Sequence, residues 1–319
     1  VDVDGPDGKQ TLSARSLIIA AGARPFVPPI PGIDTVEPLT SDDIWSLREL
    51  PERLLVLGGG PIGCELTQAF ARLGARVTQV EMAPRLMPRE DPDVTELVTR
   101  RFEDDGIDVR VGTKALSFHR DGDRKWLLAE AGGEEIQIDF DKVLVAVGRA
   151  ANTTGYGLED IGVEISERRT VAVNEFMQTN YPNIYACGDV AGPYQFTHTA
   201  AHTAWYASVN ALFGRFRKFS VDYSVIPWAT FTDPEVARVG LNETEAREQG
   251  IAYELTTYGI DDLDRAIADE ADEGMVKVLT VPGKDKILGA TIVGEHAGDL
   301  IIEFILAMRH GLGLNKILG

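Results

Sequence analysis

The sequence predicts an α/β architecture in which two parallel-sheet units, the first incomplete, precede a C-terminal α+β domain. Three observations carry this reading. Short continuous apolar runs at 16–21 and 142–147 have the pattern of strands buried on both faces of a parallel sheet, and each leads into a glycine with an arginine one or two residues on. A third apolar run, 53–57, enters a glycine loop that opens a segment of helical periodicity. Beyond residue 223 the pattern changes to a strand hairpin mixed with helices.

Taken in order, Gly5-Pro6-Asp7-Gly8 reads as a hairpin turn within the polar first 15 residues. Ser16 to Ala21 reads as a strand, and Pro25, Pro28, Pro29, Pro31 and Pro38 as an extended linker. A second unit starts with a strand from Arg53 to Leu57, a glycine loop, and a helix to Leu73 ended by Gly74. A strand from Arg76 to Val80 follows, and the unit closes on a strand from Lys142 to Val147. The two closing strands, LIIAAGARP and VLVAVGRAAN, are either a weak internal repeat or two independent buried strands. Asn183 to Cys187 reads as a strand, Gly188-Asp189 as a sharp turn, and Thr199 to Phe213 as a helix stopped by Gly214. Asn242 with Glu245 starts a helix ended by Gly250. Met275 to Val281 and Lys286 to Val293 form a hairpin, and Asp299 to His310 an amphipathic helix stopped by Gly311. The corresponding boundaries are a first remnant at 1–40, a unit at 41–153, a return to the first unit at 154–222, and the α+β domain at 223–319.

Composition narrows the function classes. A formal net charge of −19 argues against nucleic acid as a partner, because phosphate binding needs a basic face. No run of 18 apolar residues exists, so no membrane segment is expected in this chain. No secretory signal is visible, and a start at Val1 fits a processed or excised piece. The two cysteines, Cys64 and Cys187, make no C-x-x-C or C-x-x-x-x-C pair, and such sparse usage fits a reducing, cytoplasmic compartment. Both read as inert buried residues.

Gly58-Gly59-Gly60-Pro61-Ile62-Gly63 fits G-x-G-x-x-G between a strand and a helix, with Glu81 at the end of the next strand. That combination is the dinucleotide fingerprint of a Rossmann-like unit. Gly58 permits the tight turn, Gly60 lets backbone N–H groups approach a pyrophosphate at the helix N-terminus, and Gly63 lets the helix pack close to its strand. Glu81 can accept hydrogen bonds from ribose hydroxyls and would repel a 2′-phosphate, which favours NAD over NADP. Arg85, four residues on, could compete by pairing with that phosphate, so NADP stays open.

Four segments, in order, resemble the pyridine nucleotide–disulfide oxidoreductases, the family of dihydrolipoamide dehydrogenase and mercuric reductase. They are GGGPIGCE, VAVGRAANT, TNYPNIYACGDVAG and FTDPEVARVGLNETEA. The resemblance covers nearly the whole chain and implies FAD- and NAD(P)-binding Rossmann-like units, the FAD unit incomplete, plus a dimerisation domain. It implies that Gly22, Arg24, Gly188, Asp189 and His198 border FAD, with Asp189 on a ribityl hydroxyl. Gly148 and Arg149 would lie by the nicotinamide. Glu65 would stand where the family pairs a glutamate with a lysine beside the flavin.

The implied activity is hydride transfer from NAD(P)H to flavin and on to a dithiol, serving a small disulfide, lipoamide or a metal ion. A homodimer would form through 223–319. The redox cysteine pair, the lysine partner of Glu65 and the first flavin loop are expected before Val1, and a His–Glu acid/base pair after Gly319, so no catalytic residue is expected within the chain itself. Two other readings remain open: a flavoprotein of the same fold without a dithiol, of NADH oxidase or ferredoxin reductase type, and a non-catalytic dinucleotide-binding and dimerisation fragment. His198 and His202, four apart, have a spacing that can chelate a metal, but no third ligand is evident and no metal site is assigned.

Overall fold

The computed structural model describes residues 1–6 and 8–317, whose contacts group into two compact units. One comprises Val1–Arg24 and Arg149–Tyr223, the other Pro25–Gly148 and Ser224–Gly319.

In the first unit an antiparallel hairpin pairs Asp2–Gly5 with Gly8–Thr11; Asp7, in its expected turn, lies outside the described residues. Leu17–Ile19 pairs in parallel with Ile184–Ala186, and Ala23–Pro25 pairs with Arg149–Ala151. The helix Thr197–Phe213 buries Thr199, Thr203, Ala207 and Asn210, a stripe at helical spacing, and packs on the Leu17–Ile19 and Ile184–Ala186 strands. Ile19 is buried but Ile18 is exposed, so the Leu17–Ile19 strand is covered on one side, not on both as its apolar run suggests.

The second unit is built on a four-stranded parallel sheet in the order Lys142–Val145, Arg53–Leu57, Arg76–Val80, Asp108–Arg110. The central strand shows why its sequence is apolar at every position. Leu54 and Val56 join a core with the helices Pro61–Arg72 and Pro92–Asp104, while Leu55 and Leu57 point into a second core on the opposite face. Successive side chains of a strand alternate between faces, so a doubly covered strand needs a continuous run. That second core is closed by a three-stranded antiparallel meander, Thr113–Asp121, Arg124–Ala131 and Glu134–Phe140.

Two sequence expectations change here. The proline-rich stretch is not a free extended linker: Ile33–Val36 forms a 3-10 turn, and Ile33 and Val36 are buried against the meander. Residues 25–40 therefore belong with this unit, because the apolar residues between the prolines have an apolar surface to cover. The strand closing the sheet ends at Val145, two residues short of the apolar run, and residues from Arg149 onward join the first unit.

The C-terminal part is a five-stranded antiparallel sheet in the order Pro227–Thr230, Glu235–Gly240, Ile287–Gly294, Met275–Thr280, Glu254–Gly259. The helix Ala297–Arg309 packs on it. The Glu243–Glu248 helix starts as its sequence suggests, with the Asn242 side chain accepting the Glu245 N–H at 2.8 Å. Val236 and Val293 share the core of the Pro61–Arg72 and Pro92–Asp104 helices, so this sheet and the parallel sheet are packed together. No helix among the described residues is long and apolar enough to cross a membrane.

The segment 89–93 is gripped by the C-terminal sheet through buried charges. Arg238, fully buried, makes two hydrogen bonds to Glu245, at 2.7 and 3.1 Å, and donates to the Arg89 carbonyl at 3.2 Å. Its Nε is 2.9 Å from Glu90 Oε2, an ion pair whose angles fall short of a hydrogen bond. Its guanidinium lies 4.2 Å from the ring centre of Trp228, which itself donates to Glu90 at 2.9 Å. Lys277, also buried, contacts Asp91 at 3.0 Å, Asp93 at 2.8 Å and Glu243 at 2.9 Å.

Desolvation alone would raise the Asp91 carboxyl, but the Thr244 N–H and hydroxyl together with Lys277 outweigh it and hold it below the usual carboxylate range. Glu243 is lowered in the same way, burial being outweighed by Lys277 and Tyr253. A depressed carboxylate contributes stability above its unfolded value and loses it as pH falls through the folded one. The thermal midpoint is therefore expected to hold down to about pH 5 and to fall steeply below roughly pH 4. Differential scanning calorimetry across pH checks this: an Asp91→Asn variant must lose part of the acid-side slope, and an unchanged slope would contradict the assignment.

Candidate dinucleotide site

The glycine loop crosses from the Arg53–Leu57 strand into the Pro61–Arg72 helix, and the reason for each glycine can be read from its surroundings. Gly58 has φ 119°, and a Cβ there would stand 2.4 Å from the Ala146 carbonyl oxygen. A Cβ on Gly63 would stand 2.2 Å from the Gly58 carbonyl oxygen, so only glycine lets the helix approach the loop this closely. Gly60 is the opposite case. An added Cβ meets nothing within 4 Å, so the loop faces open space at that residue. Gly60 is also the N-cap, and no side chain caps the helix; Pro61 at the first turn carries no N–H, and Ile62 and Gly63 follow. An uncapped helix N-terminus beside open space is an anion site in chemical terms.

Gly59 is held from both sides. Its N–H donates to Glu81 Oε2 at 2.5 Å, and its carbonyl accepts the Met87 N–H at 2.7 Å. Glu81 Oε1 accepts the Ala83 N–H at 2.6 Å. These bonds set the Glu81 carboxylate against the loop and use two of its about four lone-pair sites, leaving acceptor capacity for sugar hydroxyls. Met87 adopts φ 42° while almost fully buried, a conformation that persists only where surrounding contacts enforce it. Beneath the loop, buried Gln79 donates to the Gly58 carbonyl at 3.0 Å. Cys64 Sγ lies 3.3 Å from the Gly59 carbonyl, and burial pushes its thiol up to about 12. Burial also raises Cys187. Neither is a thiolate near neutral pH.

Glu65, on the same helix, accepts the Phe231 N–H at 2.9 Å, and burial raises its carboxyl above the ordinary range. Gly148, with φ 134°, accepts the Phe26 N–H at 2.9 Å through its carbonyl. Arg85 donates to the Pro88 carbonyl at 3.2 Å and lines a shallow depression with Pro92, Thr95, Thr99 and Arg100.

In the first unit the residues singled out from sequence lie around two strand ends. Arg149 donates to the Ala23 carbonyl at 2.7 Å, and its Nε is 3.7 Å from the Asp189 carboxylate. Asn152 ties the neighbourhood together: its side chain donates to Ala21 and accepts from Arg24, each at 2.9 Å, and its N–H donates to the Gly22 carbonyl at 3.0 Å. Gly188 and Asp189 form a 3-10 turn, and the Gly188 N–H donates to Thr203. His198 stacks on Phe196 with ring centres 5.4 Å apart, and His202 Nε2 is 2.9 Å from the Asp222 carbonyl.

Sequence reasoning missed Asn152, Met87, Gln79 and the buried Arg238 and Lys277. Asn152 sat inside a quoted motif and was readable. The others carried no local signal, because a buried cation or a left-handed methionine is defined by partners far away in sequence.

Comparison with known proteins agrees with the geometry. A family profile described as pyridine nucleotide-disulphide oxidoreductase matches residues 1–204, and that family's dimerisation domain matches residues 226–318. Mercuric reductase of Streptomyces lividans is 37% identical over 97% of this chain and 65% of its own length. Dihydrolipoyl dehydrogenase of Thermus scotoductus is 39% identical over 99% of this chain and 68% of its own. Among solved structures, the Cu(II) complex of the HOCl-induced flavoprotein disulfide reductase RclA from Escherichia coli superposes with a TM-score of 0.89 at 29% identity, covering 98% of this chain and 70% of that one. The chain spans between 49% and 68% of the length of eight similar curated proteins, this mercuric reductase and this dihydrolipoyl dehydrogenase among them.

Proposed function

Because this chain belongs to the pyridine nucleotide-disulphide oxidoreductase family, we propose that it binds NADH on the Gly58–Gly63 loop and serves FAD-dependent reduction of a disulfide, lipoamide-type or metal-ion substrate by the whole protein. The observation that carries this reading is the loop itself. An uncapped helix start faces open space at Gly60, and a carboxylate is fixed beside Gly59 with acceptor sites to spare. Ile62 and Gly63 would hold the pyrophosphate through their N–H groups, and Glu81 the adenosine ribose. The Glu81 carboxylate set against the loop would repel a 2′-phosphate, which supports NAD over NADP.

Gly22, Arg24, Gly188, Asp189 and His198 are assigned to the FAD side, with Gly148 and Arg149 near the nicotinamide. Held there, NADH and FAD would supply the hydride-transfer chemistry by which the whole protein reduces its substrate. The chain's own part would be to hold each of them in place, and neither Cys64 nor Cys187 is among the groups assigned to electron transfer. Two unpaired buried cysteines suit a reducing cytoplasm. The Ala297–Arg309 helix leaves Ile302 and Leu306, one turn apart, exposed on one face, which suits a homodimer through 223–319, of which Leu318 and Gly319 lie outside the described residues.

Separate titrations of the chain with NADH, NADPH and FAD test the reading. NADH is expected to bind at least about tenfold more tightly than NADPH, a difference of roughly 1.4 kcal/mol. Glu81→Gln is expected to weaken NADH about tenfold and to narrow the gap, since a charged acceptor is replaced by a weaker neutral one. Failure of the unaltered chain to bind NADH would overturn the assignment.

A further inference from the structure

We propose that residues 87–93 act as a strut through which the C-terminal sheet sets the geometry of the dinucleotide loop, with Arg238 and Lys277 as positioning residues for coenzyme binding. The inference rests on the NADH reading above. It goes beyond it by assigning part of the coenzyme's affinity to residues that never touch the coenzyme.

The strut can be followed bond by bond. At its near end the Met87 N–H holds the Gly59 carbonyl at 2.7 Å, and the Gly59 N–H holds Glu81. Met87 keeps a left-handed backbone although it is a bulky buried residue, and the Glu90 N–H closes a tight turn onto the Met87 carbonyl at 2.8 Å. At its far end the chain is caught by four elements. Trp228 donates to Glu90, Arg238 pairs with Glu90 and holds the Arg89 carbonyl, and Asn242 donates to that same carbonyl at 2.9 Å. Asp91 accepts the N–H groups of Glu243 and Thr244 at 3.1 and 3.0 Å, and Lys277 bridges Asp91, Asp93 and Glu243.

Buried ionic groups are a poor way to gain stability, since a well-packed apolar cluster does as well, but they fix register sharply because a displaced charge is left unpaired. Here they fix the register of a segment two residues away from a contact to the phosphate loop. Movement of residues 89–93 would carry Met87 with it, free the Gly59 carbonyl, and loosen the residue whose N–H orients Glu81.

The test uses Lys277→Met, which removes the cation while keeping much of the apolar stem, Lys277→Arg as conservative rescue, and Asp93→Asn at the half-exposed rim as a milder break that leaves the buried pair in place. NADH affinity by fluorescence titration and thermal midpoint are measured together. In the proposed coupling Lys277→Met weakens NADH about tenfold, Asp93→Asn about threefold, and Lys277→Arg recovers most of the loss, within the range usual for linked sites. In the full-length enzyme the effect falls on KM for NADH and leaves kcat near its starting value. Should these variants lower the thermal midpoint while folded protein binds NADH as tightly as before, the strut is structural only and the proposal fails. If Lys277→Met does not fold, Asp93→Asn decides alone: an NADH affinity equal to that of the unaltered chain overturns the proposal. Binding by the unaltered chain is the reference that separates failure of the strut from failure of the NADH reading.

Discussion

Gly63→Ala is expected to remove measurable NADH binding, while Gly60→Ala is expected to weaken binding without harming the fold. At Gly63 the new methyl would lie 2.2 Å from the Gly58 carbonyl oxygen, which is backbone and cannot swing aside. The helix start must retreat from the strand, and the N–H groups that would hold the pyrophosphate retreat with it. Overpacking of this kind costs about 1–3 kcal/mol in stability, and the displaced N-terminus should cost more than about thirtyfold in affinity. At Gly60 the same methyl meets no protein atom, so the thermal midpoint should hold. It would instead occupy the space in front of the helix N-terminus and weaken NADH by about tenfold. Titration calorimetry and a thermal scan on both variants separate the two roles. Equal behaviour of the two variants, or an NADH affinity for Gly63→Ala within threefold of the unaltered chain, would contradict this account of the loop.

Arg238→Ala should be the most destabilising single change outside the apolar cores. The side chain is fully buried, and its removal leaves the Glu90 carboxylate, itself almost wholly buried, without its cation. Burial already pushes the Glu90 carboxyl upward against the opposing pull of Arg238, so the lost ion pair would favour a protonated or misplaced side chain. Breaking one partner of a buried ion pair costs about 3–5 kcal/mol. Glu245 is better exposed and can turn to water. The double variant Arg238→Met with Glu90→Leu should therefore recover most of the loss, because no unpaired buried charge remains. Denaturant unfolding of the three proteins checks the pattern. A single variant that loses less than about 1 kcal/mol, or a double variant no better than the single, would show that the cluster is not held as described.

Much of the fold was legible because its signals are local. The Arg53–Leu57 run, the glycine loop, the Pro61–Arg72 helix and Glu81 announce themselves within thirty residues, and the structure sets the Glu81 carboxylate on the loop. The antiparallel meander went unread although its turns, Asp121-Gly122-Asp123 and Ala131-Gly132-Gly133, are strong hairpin signals. The Pro92–Asp104 helix was readable too, from Pro92 at its first turn and from Val94, Val98 and Phe102 spaced four apart. The strut was not readable. Nothing near Lys277 says that it will meet Asp91, because that meeting depends on a sheet packing against a segment more than 180 residues earlier.

The first unit is assembled from two stretches of chain separated by the whole of Pro25–Gly148. During synthesis, Leu17–Ile19 leaves the ribosome long before Ile184–Ala186, the strand it pairs with. At an elongation rate of about 5–20 residues per second that nascent apolar strand waits on the order of ten seconds for its partner. Translation thus leaves a sticky edge exposed while the intervening segment can already collapse, and a chaperone that shields emerging chains would find a natural client in the stretch around Leu17–Ile19.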